Sequence, residues 1–408
     1  MSSCDLANRT EIVELFAGAG GFTWGWHQAG FTTRVAIDFD PAAARTHELN
    51  FPHSLTLQKD LTTFLPADLT ALLGIGRRPK ALLAVVGGPP CQGWSNAGRG
   101  KLRSLDSAAD TLLKDPRNRL YRRFLEFVSE LRPPICVMEN VPGMLSIEGT
   151  NVAEAIQRQF ERIGYQCTFA VVNAKWFGVP QDRRRLIFIG VDGALAAELR
   201  LFASGIEKFA PRFRRDVLGL SEQDTSVRQA IADLPEIPHG MQEDPQMYRA
   251  PCKRSRYADL MRARSNGMLT DHVTREHNQQ DLDAFAYMPE GGRYFELPDR
   301  FKRYRDDIFK DKYRKLQWNA TAGTVTAHLA KDCYTHIHPE QPRTVSIREA
   351  ARLQSFPDDF RFFGNMGERF RQIGNAVPPM MAWGIAEFVR EQLRYNGLRV
   401  MSRTTHRM

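Results

Sequence analysis

The stretch EIVELFAGAGGFTWGW, residues 11–26, carries the clearest structural signal in this chain. A short apolar run ends at Phe16 and is followed at once by Gly18, Gly20 and Gly21. Glycines in that place let the backbone turn sharply and approach a ligand closely. The stretch therefore predicts a strand, a tight turn and a helix at a ligand-binding edge of a sheet.

Similar apolar runs, each bounded by Gly, Pro, Asn or Asp, recur along the first half of the chain. They are IVELF (12–16), RVAIDF (34–39), LTLQKD (55–60), LLAVVGG (82–88), ICVMENV (135–141), TFAVVNA (168–174) and RLIFIGV (185–191). Continuous apolar runs are typical of strands covered on both faces. Between two of them, apolar residues recur at helical spacing in NRLYRRFLEFVSELRPP. The pattern predicts a doubly wound α/β domain with a mostly parallel sheet.

After about residue 195 this regular pattern is lost, and the chain up to Arg343 is rich in proline and charge. We interpret this region as a separate, smaller domain. Helical patterns return in SIREAARLQSF (346–356) and MMAWGIAEFVREQL (380–393).

Composition limits the class of protein. The 408 residues are 42% hydrophobic, with a formal charge of +9 and a pI near 9.3, an excess that favours a polyanionic partner without establishing one. The six cysteines form no CxxC pair, which argues against a zinc site and a disulfide framework. Neither a secretion signal nor an apolar run long enough to span a membrane is visible. We expect a soluble cytoplasmic protein without a metal.

Two acidic residues follow strands near the glycine turn. Asp38 ends the second strand, where a carboxylate can bind ribose hydroxyls, and Asp60 follows the third. Each could equally be a helix cap or turn residue. A dinucleotide fingerprint would have a third glycine at position 23, which is Thr23. The pattern therefore suits an adenosyl ligand better than a nicotinamide dinucleotide.

A candidate nucleophile lies in GGPPCQGWSNAGRG. Cys91 comes just after a buried strand, at the edge where such sheets bind ligands. Glu139 lies at the end of the next strand, and QDRRR precedes another. By strand alternation, Arg183 and Arg185 should point the same way. A cysteine, a carboxyl group and two guanidinium groups make a coherent site for an electron-poor ring.

The segment 96–110 after the candidate nucleophile contains glycines and basic residues. We interpret it as a mobile loop that closes over the polyanionic partner. Gln92, Ser95 and Arg99 are candidate contacts to phosphate groups, although a surface loop without a role would look similar.

These motifs together resemble the DNA (cytosine-5)-methyltransferase family of the bacterial type. The matching stretches are FAGAGGF, the acidic residue after strand two, GGPPCQGWS, ENVPG, QDRRR, REAARLQSFPDDF and QIGNAVPP, in family order over residues 11–192 and roughly 320–390. The resemblance implies the Rossmann-like fold of S-adenosylmethionine-dependent methyltransferases, with a smaller, irregular target-recognition domain.

The resemblance also implies the chemistry. The Cys91 thiolate would add to C6 of a cytosine flipped out of duplex DNA, and Glu139 would protonate N3. Arg185 would contact O2 of the base, and Arg183 would support the region of the nucleophile. Thr324 would lie near the position that the base vacates.

For the cofactor, the resemblance implies that S-adenosylmethionine is bound by residues from both ends of the chain. These are Phe16, Gly18 and Gly20 around the methionine part, Asp38 on the ribose, Asp60 at the adenine amino group, and Asn375. We therefore expect a catalytic domain over 1–194 that is completed by about 366–396. The target-recognition domain would be 195–345, with a connecting helix in 346–365 and a tail in 397–408.

The compact length favours a prokaryotic or phage enzyme that acts as a monomer on double-stranded DNA. It would serve restriction-modification or another anti-phage defence, in the cytoplasm and on the nucleoid when bound to DNA, with defence proteins as possible partners. One alternative is an RNA cytosine-5 methyltransferase. Others are a DNA-binding regulator that has lost catalysis and, third, a nicotinamide oxidoreductase.

Overall fold

A computed structural model describes residues 10–74, 79–90, 120–145, 151–197, 199, 201–248, 254–303 and 312–395. Cys91, Gln92, Ser95 and Arg99, the segment 96–110 and the tail 397–408 lie outside the described residues.

The predicted apolar runs form one sheet of seven strands within the described residues. The strands are β1 (Glu11–Leu15), β2 (Thr32–Asp38), β3 (Leu55–Gln58), β4 (Leu82–Gly87), β5 (Ile135–Asn140), β6 (Tyr165–Asn173) and β7 (Arg184–Asp192), in the order β3-β2-β1-β4-β5-β7-β6. All neighbouring pairs are parallel except those that β7 makes with β5 and β6. The predicted doubly wound, mostly parallel sheet is confirmed, with one reversed strand.

Twelve α-helices lie within the described residues. They are α1 (Gly21–Gln28), α2 (Pro41–Asn50), α3 (Pro66–Leu73), α4 (Leu120–Leu131), α5 (Val152–Arg162), α6 (Gly205–Asp216), α7 (Val227–Ile231), α8 (Arg256–Arg262), α9 (Gln279–Tyr287), α10 (Ile347–Leu353), α11 (Met366–Asn375) and α12 (Pro379–Tyr395). The apolar stripe predicted for α4 is buried in the sheet's core at Phe124, Phe127, Val128 and Leu131. Two residue pairs, Gln246–Met247 (β8) and Met268–Leu269 (β9), form a small antiparallel ribbon.

The chain divides into two compact units. The first holds the described residues up to Asn173, Arg184–Phe213 and the described residues from Met381 onward; the second holds Ala174–Arg183 and Arg214–Met380. The division after Met380 differs from the expected inclusion of all of 366–396 in the catalytic domain. The functional domain limits given above stay a prediction.

The second unit has a core that is unusually rich in charge. Helix α10, from the REAARL motif, is buried at every position. Its Arg352 is paired with Asp233 at 2.5 Å and Asp358 at 2.6 Å, and Arg348 with Asp271 at 3.2 Å. Buried charges are tolerated when they are paired and hydrogen-bonded in this way. The arginines therefore act as internal cross-links of this unit.

Candidate active site

The reversed strand β7 brings two predicted site residues together. In the antiparallel register Glu139 is opposite Ile187 and Asn140 is opposite Leu186, so the start of β7 lies where β5 ends. Arg185 Nε donates to Glu139 Oε1 at 2.7 Å, and each side chain is only 12% exposed. The structure thus places a carboxylate and a guanidinium side by side at the carboxyl edge of the parallel strands.

The turn after β4 faces the same carboxyl group. A Cβ added to Gly88 would lie 3.1 Å from Glu139 Oε2, so this glycine leaves room for the carboxyl group. Asn140 Nδ2 donates to the Pro89 carbonyl at 3.3 Å and fixes the turn. The chain that continues to position 91 therefore leaves the sheet next to Glu139.

Arg183 directly precedes strand β7, which begins at Arg184. Arg183 is buried, Arg184 is exposed and Arg185 is intermediate, so exposure alternates along the three arginines. Its guanidinium is buried and donates to the main-chain carbonyls of Val325 at 2.6 Å, Gly374 at 3.1 Å and Ala376 at 2.9 Å. These bonds give Arg183 a structural role in the second unit. Its support for the nucleophile region stays a prediction.

Gln181 and Gln354 extend this set of bonds. Gln181 Nε2 donates to Gln354 Oε1 at 2.5 Å and to the Leu353 carbonyl at 3.0 Å, while its Oε1 accepts from the Val325 N–H at 2.9 Å. Gln354 Nε2 donates to the Ala376 carbonyl at 2.7 Å. Stretches that are far apart in sequence (QDRRR, TAGTVT, AARLQ and QIGNAV) therefore meet in one hydrogen-bonded assembly, which we call the motif junction. Sequence reasoning identified these stretches without predicting that they touch.

Two further predicted residues lie at the motif junction. Thr324 is half-buried, and its hydroxyl donates to the Asp182 carbonyl at 2.8 Å. Asn375 is exposed at the last position of α11. Their expected contacts to DNA and cofactor stay predictions.

The glycine turn after β1 is clamped to the end of β2. Phe16, Gly18 and Gly20 all have positive φ, at 56°, 54° and 96°. The Gly18 N–H donates to Asp38 Oδ2 at 2.7 Å, and the Asp40 N–H donates to Oδ1 at 2.9 Å. Burial raises the pKa of Asp38, while the N–H bonds from Asp40 and Gly18 lower it. The Phe39 N–H lowers this pKa as well, so Asp38 holds the turn through three backbone N–H groups.

Sequence reasoning missed Phe39, which was counted as the last residue of the second strand. The strand ends at Asp38, and the Phe39 ring is 65% exposed directly beside it. A Cβ at Gly18 would meet no atom within 4 Å, so the space in front of the turn is open. A carboxylate, an exposed ring and an open backbone fit a ligand that carries ribose hydroxyls and a flat base. An aromatic residue directly after a strand-ending carboxylate was the available signal.

Asp60 holds a tight turn in the structure. Its Oδ1 accepts from the Thr62 N–H at 2.8 Å, and its carbonyl accepts from the Thr63 hydroxyl at 3.2 Å. This is the turn role that the sequence left open beside a contact to adenine, which stays a prediction.

Within the described ranges, no group of three or more His, Cys, Asp or Glu residues could hold a metal ion. Nor is any helix in that part of the chain long and apolar enough to cross a membrane. The cysteines described, Cys136, Cys167 and Cys333, are buried and free.

Comparison with known proteins gives consistent matches over nearly the whole chain. The model of the family described as C-5 cytosine-specific DNA methylase matches residues 10–391. The chain is 33% identical to the type II methyltransferase M.AgeI of Thalassovita gelatinovora, over 93% of this chain and 99% of that protein. It is also 33% identical to the type II methyltransferase M1.HphI of Haemophilus parahaemolyticus, over 92% and 86% of the two chains.

A solved structure shows the same fold. It is a crystal structure of a protein described as a DNA modification methyltransferase encoded within an E. coli prophage. The TM-score is 0.70 at 26% identity, over 94% of this chain and 99% of that one. The seven-stranded sheet with one reversed strand is thus the fold of S-adenosylmethionine-dependent methyltransferases.

Proposed function

The chain belongs to the C-5 cytosine-specific DNA methylase family and is a DNA (cytosine-5)-methyltransferase, and from this premise we propose how it acts. It transfers a methyl group from S-adenosylmethionine to C5 of a cytosine that is flipped out of a specific duplex sequence. The reaction passes through a covalent bond between Cys91 and C6. The observation that carries this proposal is the Glu139–Arg185 pair beside the Gly88–Pro90 turn that leads to Cys91.

Glu139 and Arg185 would contact different atoms of the cytosine, N3 and O2. Arg185 Nε holds one carboxyl oxygen at 2.7 Å, which leaves the other, facing Gly88, to bond N3 of cytosine. The remaining guanidinium N–H groups are suited to the O2 acceptor of the base. The Glu139 carboxyl group takes up a proton when the base binds. As the Cys91 sulfur bonds C6, Glu139 donates that proton to N3, and the electron pair of the C5–C6 double bond becomes available at C5.

The later steps restore the ring. C5 would take the methyl group as the bond between that group and the sulfonium sulfur breaks, which would leave S-adenosylhomocysteine, and a base then removes the C5 proton. The C5–C6 double bond re-forms, the bond from C6 to the Cys91 sulfur breaks, and the N3 proton returns to Glu139. S-adenosylmethionine supplies an electrophilic methyl group on a sulfonium centre.

We assign the cofactor to the turn after β1 and its neighbours. Phe16, Gly18 and Gly20 would line the methionine part, and Asp38 would accept hydrogen bonds from the ribose hydroxyls. The exposed ring of Phe39 would stack on adenine. Asp60 and Asn375 complete the proposed set.

We assign the contacts to DNA to four residues. Gln92, Ser95 and Arg99 follow the nucleophile in sequence, and Thr324 lies at the motif junction. Flipping the cytosine costs a few kcal/mol, which such contacts must offset. Arg183 supports this region indirectly, because it holds the carbonyl of Val325, the residue after Thr324.

The biological role that we propose is restriction-modification, or another form of anti-phage defence, since two similar relatives are named type II methyltransferases. The enzyme would act as a monomer on DNA in the bacterial cytoplasm, bound to the nucleoid, with a restriction enzyme or other defence protein as its partner in that system.

The decisive experiment tests the covalent step. The target sequence is first mapped as 5-methylcytosine in the genome of an expression strain without cytosine methylases of its own. A duplex with 5-fluorocytosine at that site should then trap a denaturation-resistant protein–DNA adduct, because fluorine cannot leave as a proton does. Cys91→Ser should abolish both adduct and methylation while DNA is still bound. Methylation of transfer RNA instead of duplex DNA, or turnover by Cys91→Ser within about tenfold of the parent, would overturn the proposal.

A further inference from the structure

A chain of buried polar side chains lies directly behind the glycine turn. Glu14 of β1 is 1% exposed, and Thr23 of α1, Thr33 of β2 and His47 of α2 are fully buried. Thr23 Oγ1 is in hydrogen-bond contact with Glu14 Oε2, with His47 Nε2 at 3.0 Å and with Thr33 Oγ1 at 3.2 Å. His47 Nδ1 continues to Thr56 Oγ1 of β3 at 2.7 Å. We call these five residues the Glu14 chain.

Burying a carboxyl group such as that of Glu14 in the core of a sheet lowers the free energy of unfolding unless the group is fully hydrogen-bonded. The neighbours of Glu14 on the adjoining strands are Ala36 and Val86, both apolar. An apolar residue at position 14 would avoid the desolvation of a carboxyl group, which only a complete set of hydrogen bonds can offset. A role beyond packing would account for its presence.

Two members of the Glu14 chain, Thr23 and His47, lie next to the glycine turn. Thr23 is the third residue of α1, whose N-cap is Gly20 at φ 96°. A Cβ on Gly20 would lie 2.8 Å from His47 Cδ2 and 2.4 Å from the Phe51 ring, so the imidazole backs directly onto the turn. Position 23 is where a dinucleotide fingerprint would have its third glycine. Here that place is taken by the hydroxyl that links Glu14 to His47.

We propose that Glu14, acting through Thr23 and His47, is a positioning residue that holds the Gly18–Gly20 turn in its cofactor-binding conformation, as a neutral carboxylic acid. The inference rests on the proposed use of an adenosyl cofactor.

A neutral Glu14 is compatible with these contacts. Thr23 donates to Glu14 Oε2 through its hydroxyl when Glu14 is ionised, and the same hydroxyl can accept the acid proton and donate to His47 Nε2 when Glu14 is neutral. In the neutral arrangement His47 donates from Nδ1 to Thr56, and Thr33 donates its hydroxyl proton to Thr23 Oγ1.

The surrounding charges favour this neutral state. Burial raises the pKa of Glu14 to about 8, against the bonds from Thr23, and the negative charge of Asp38 on β2 raises it further. Burial lowers the pKa of His47 to about 3. His27 Nε2 accepts from the Thr33 N–H at 3.1 Å, so that ring nitrogen carries no proton. Neither histidine therefore supplies a positive charge that would hold Glu14 ionised.

The first test measures binding of S-adenosylhomocysteine by calorimetry between pH 6 and pH 9. Because Glu14 ionises near pH 8, the parent should bind about tenfold more weakly at pH 9 than at pH 7. Glu14→Gln is uncharged throughout and should lose clearly less affinity over that range; any titration of the ligand itself is common to both proteins. Glu48→Gln, which removes a half-exposed carboxylate from α2, should follow the parent.

Thr23→Val removes the linking hydroxyl at nearly constant volume. It should weaken binding of S-adenosylhomocysteine at pH 7 about tenfold or more, and Thr23→Ser should restore it. A parent that binds no S-adenosylhomocysteine at any pH would overturn the proposed function and this inference with it. A parent that binds, with Thr23→Val equal to it, would overturn the inference alone.

The pH dependence of protein stability tests the protonation state of Glu14 without any ligand. A carboxyl group whose pKa is raised on folding stays protonated while the unfolded chain ionises, so stability falls as pH rises from about 4.5 to about 8. The melting temperature of the ligand-free parent should show this fall more strongly than that of Glu14→Gln. Parallel curves for the two proteins would contradict the neutral acid.

Discussion

Replacing Glu139 with glutamine separates the structural and chemical roles of this residue. The amide oxygen of Glu139→Gln can still accept the bond from Arg185 Nε, which is 2.7 Å long in the parent. The variant loses the negative charge opposite a guanidinium that is only 12% exposed, and it loses the ability to give a proton to N3. The first loss lowers the free energy of unfolding, and the second raises the barrier to methylation, so the two are measured separately.

The structural cost is the smaller one. Arg185 stays charged in the variant and keeps a hydrogen bond to the amide oxygen, but it loses the opposing charge at a site that is only 12% exposed, so the variant should lose about 1–3 kcal/mol of folding free energy. The chemical cost follows from general acid catalysis, which contributes about 10²–10⁴-fold in rate. At 1.36 kcal/mol for each factor of ten, this is about 3–5 kcal/mol of barrier.

Single-turnover methylation of the mapped duplex measures the barrier, and urea unfolding measures the stability. Glu139→Gln should be 10²–10⁴-fold slower, with affinity for S-adenosylhomocysteine unchanged because Glu139 lies outside the glycine turn. Glu154→Gln is the matched control, since its carboxylate is over half exposed and 4.0 Å from Arg158. A Glu139→Gln enzyme within about tenfold of the parent rate would refute the proton-donor role.

Three further predictions concern other parts of the chain. Phe39→Ala should weaken S-adenosylhomocysteine binding about tenfold while the melting temperature is unchanged, because the ring is 65% exposed; equal affinity in calorimetry would exclude the stacking role. Gly374→Ala would place a Cβ 2.2 Å from the Thr326 carbonyl carbon, so urea denaturation should show a loss of about 3 kcal/mol, and no loss would mean that the backbones are not in contact. Arginines lower the pKa of Glu349 and of Asp358, against the effect of burial, so their stabilisation is complete above about pH 4.5 and is lost as pH falls further. Acid titration followed by circular dichroism should show this loss, and Glu349→Gln should reduce it.

Sequence patterns predicted the strands well because a buried strand needs a continuous apolar run. They did not reveal that RLIFIGV runs opposite to its neighbours, since an apolar run looks the same in either direction. That reversal is what brings Arg185 to Glu139. Exposure alternates over Arg183, Arg184 and Arg185, but the carbonyls that Arg183 binds lie 142 to 193 residues later in the chain and have no local signature.

The second half of the chain was harder to interpret for a physical reason. In REAARL the charged residues suggest a solvent-facing helix, yet every residue of α10 is buried. Of the two acids that pair with Arg352, Asp358 lies six residues later, but Asp233 lies 119 residues earlier, and that pairing has no local signature. A core held by ion pairs is therefore invisible to methods that look for apolar periodicity.

The motif junction also limits how this enzyme could acquire a new specificity. The main chain passes between the two compact units after Asn173, Arg183, Phe213 and Met380, so a recombination event that exchanges only 214–380 leaves Gln181 and Arg183 behind. The incoming segment would then have to place main-chain carbonyls where Gln181 and Arg183, which stay from the original protein, can donate to them. Chimaeras that fold should therefore either include residues 174–183 from the donor or use a donor that has the same glutamine and arginine. The sequence of this ten-residue segment indicates which donors are compatible.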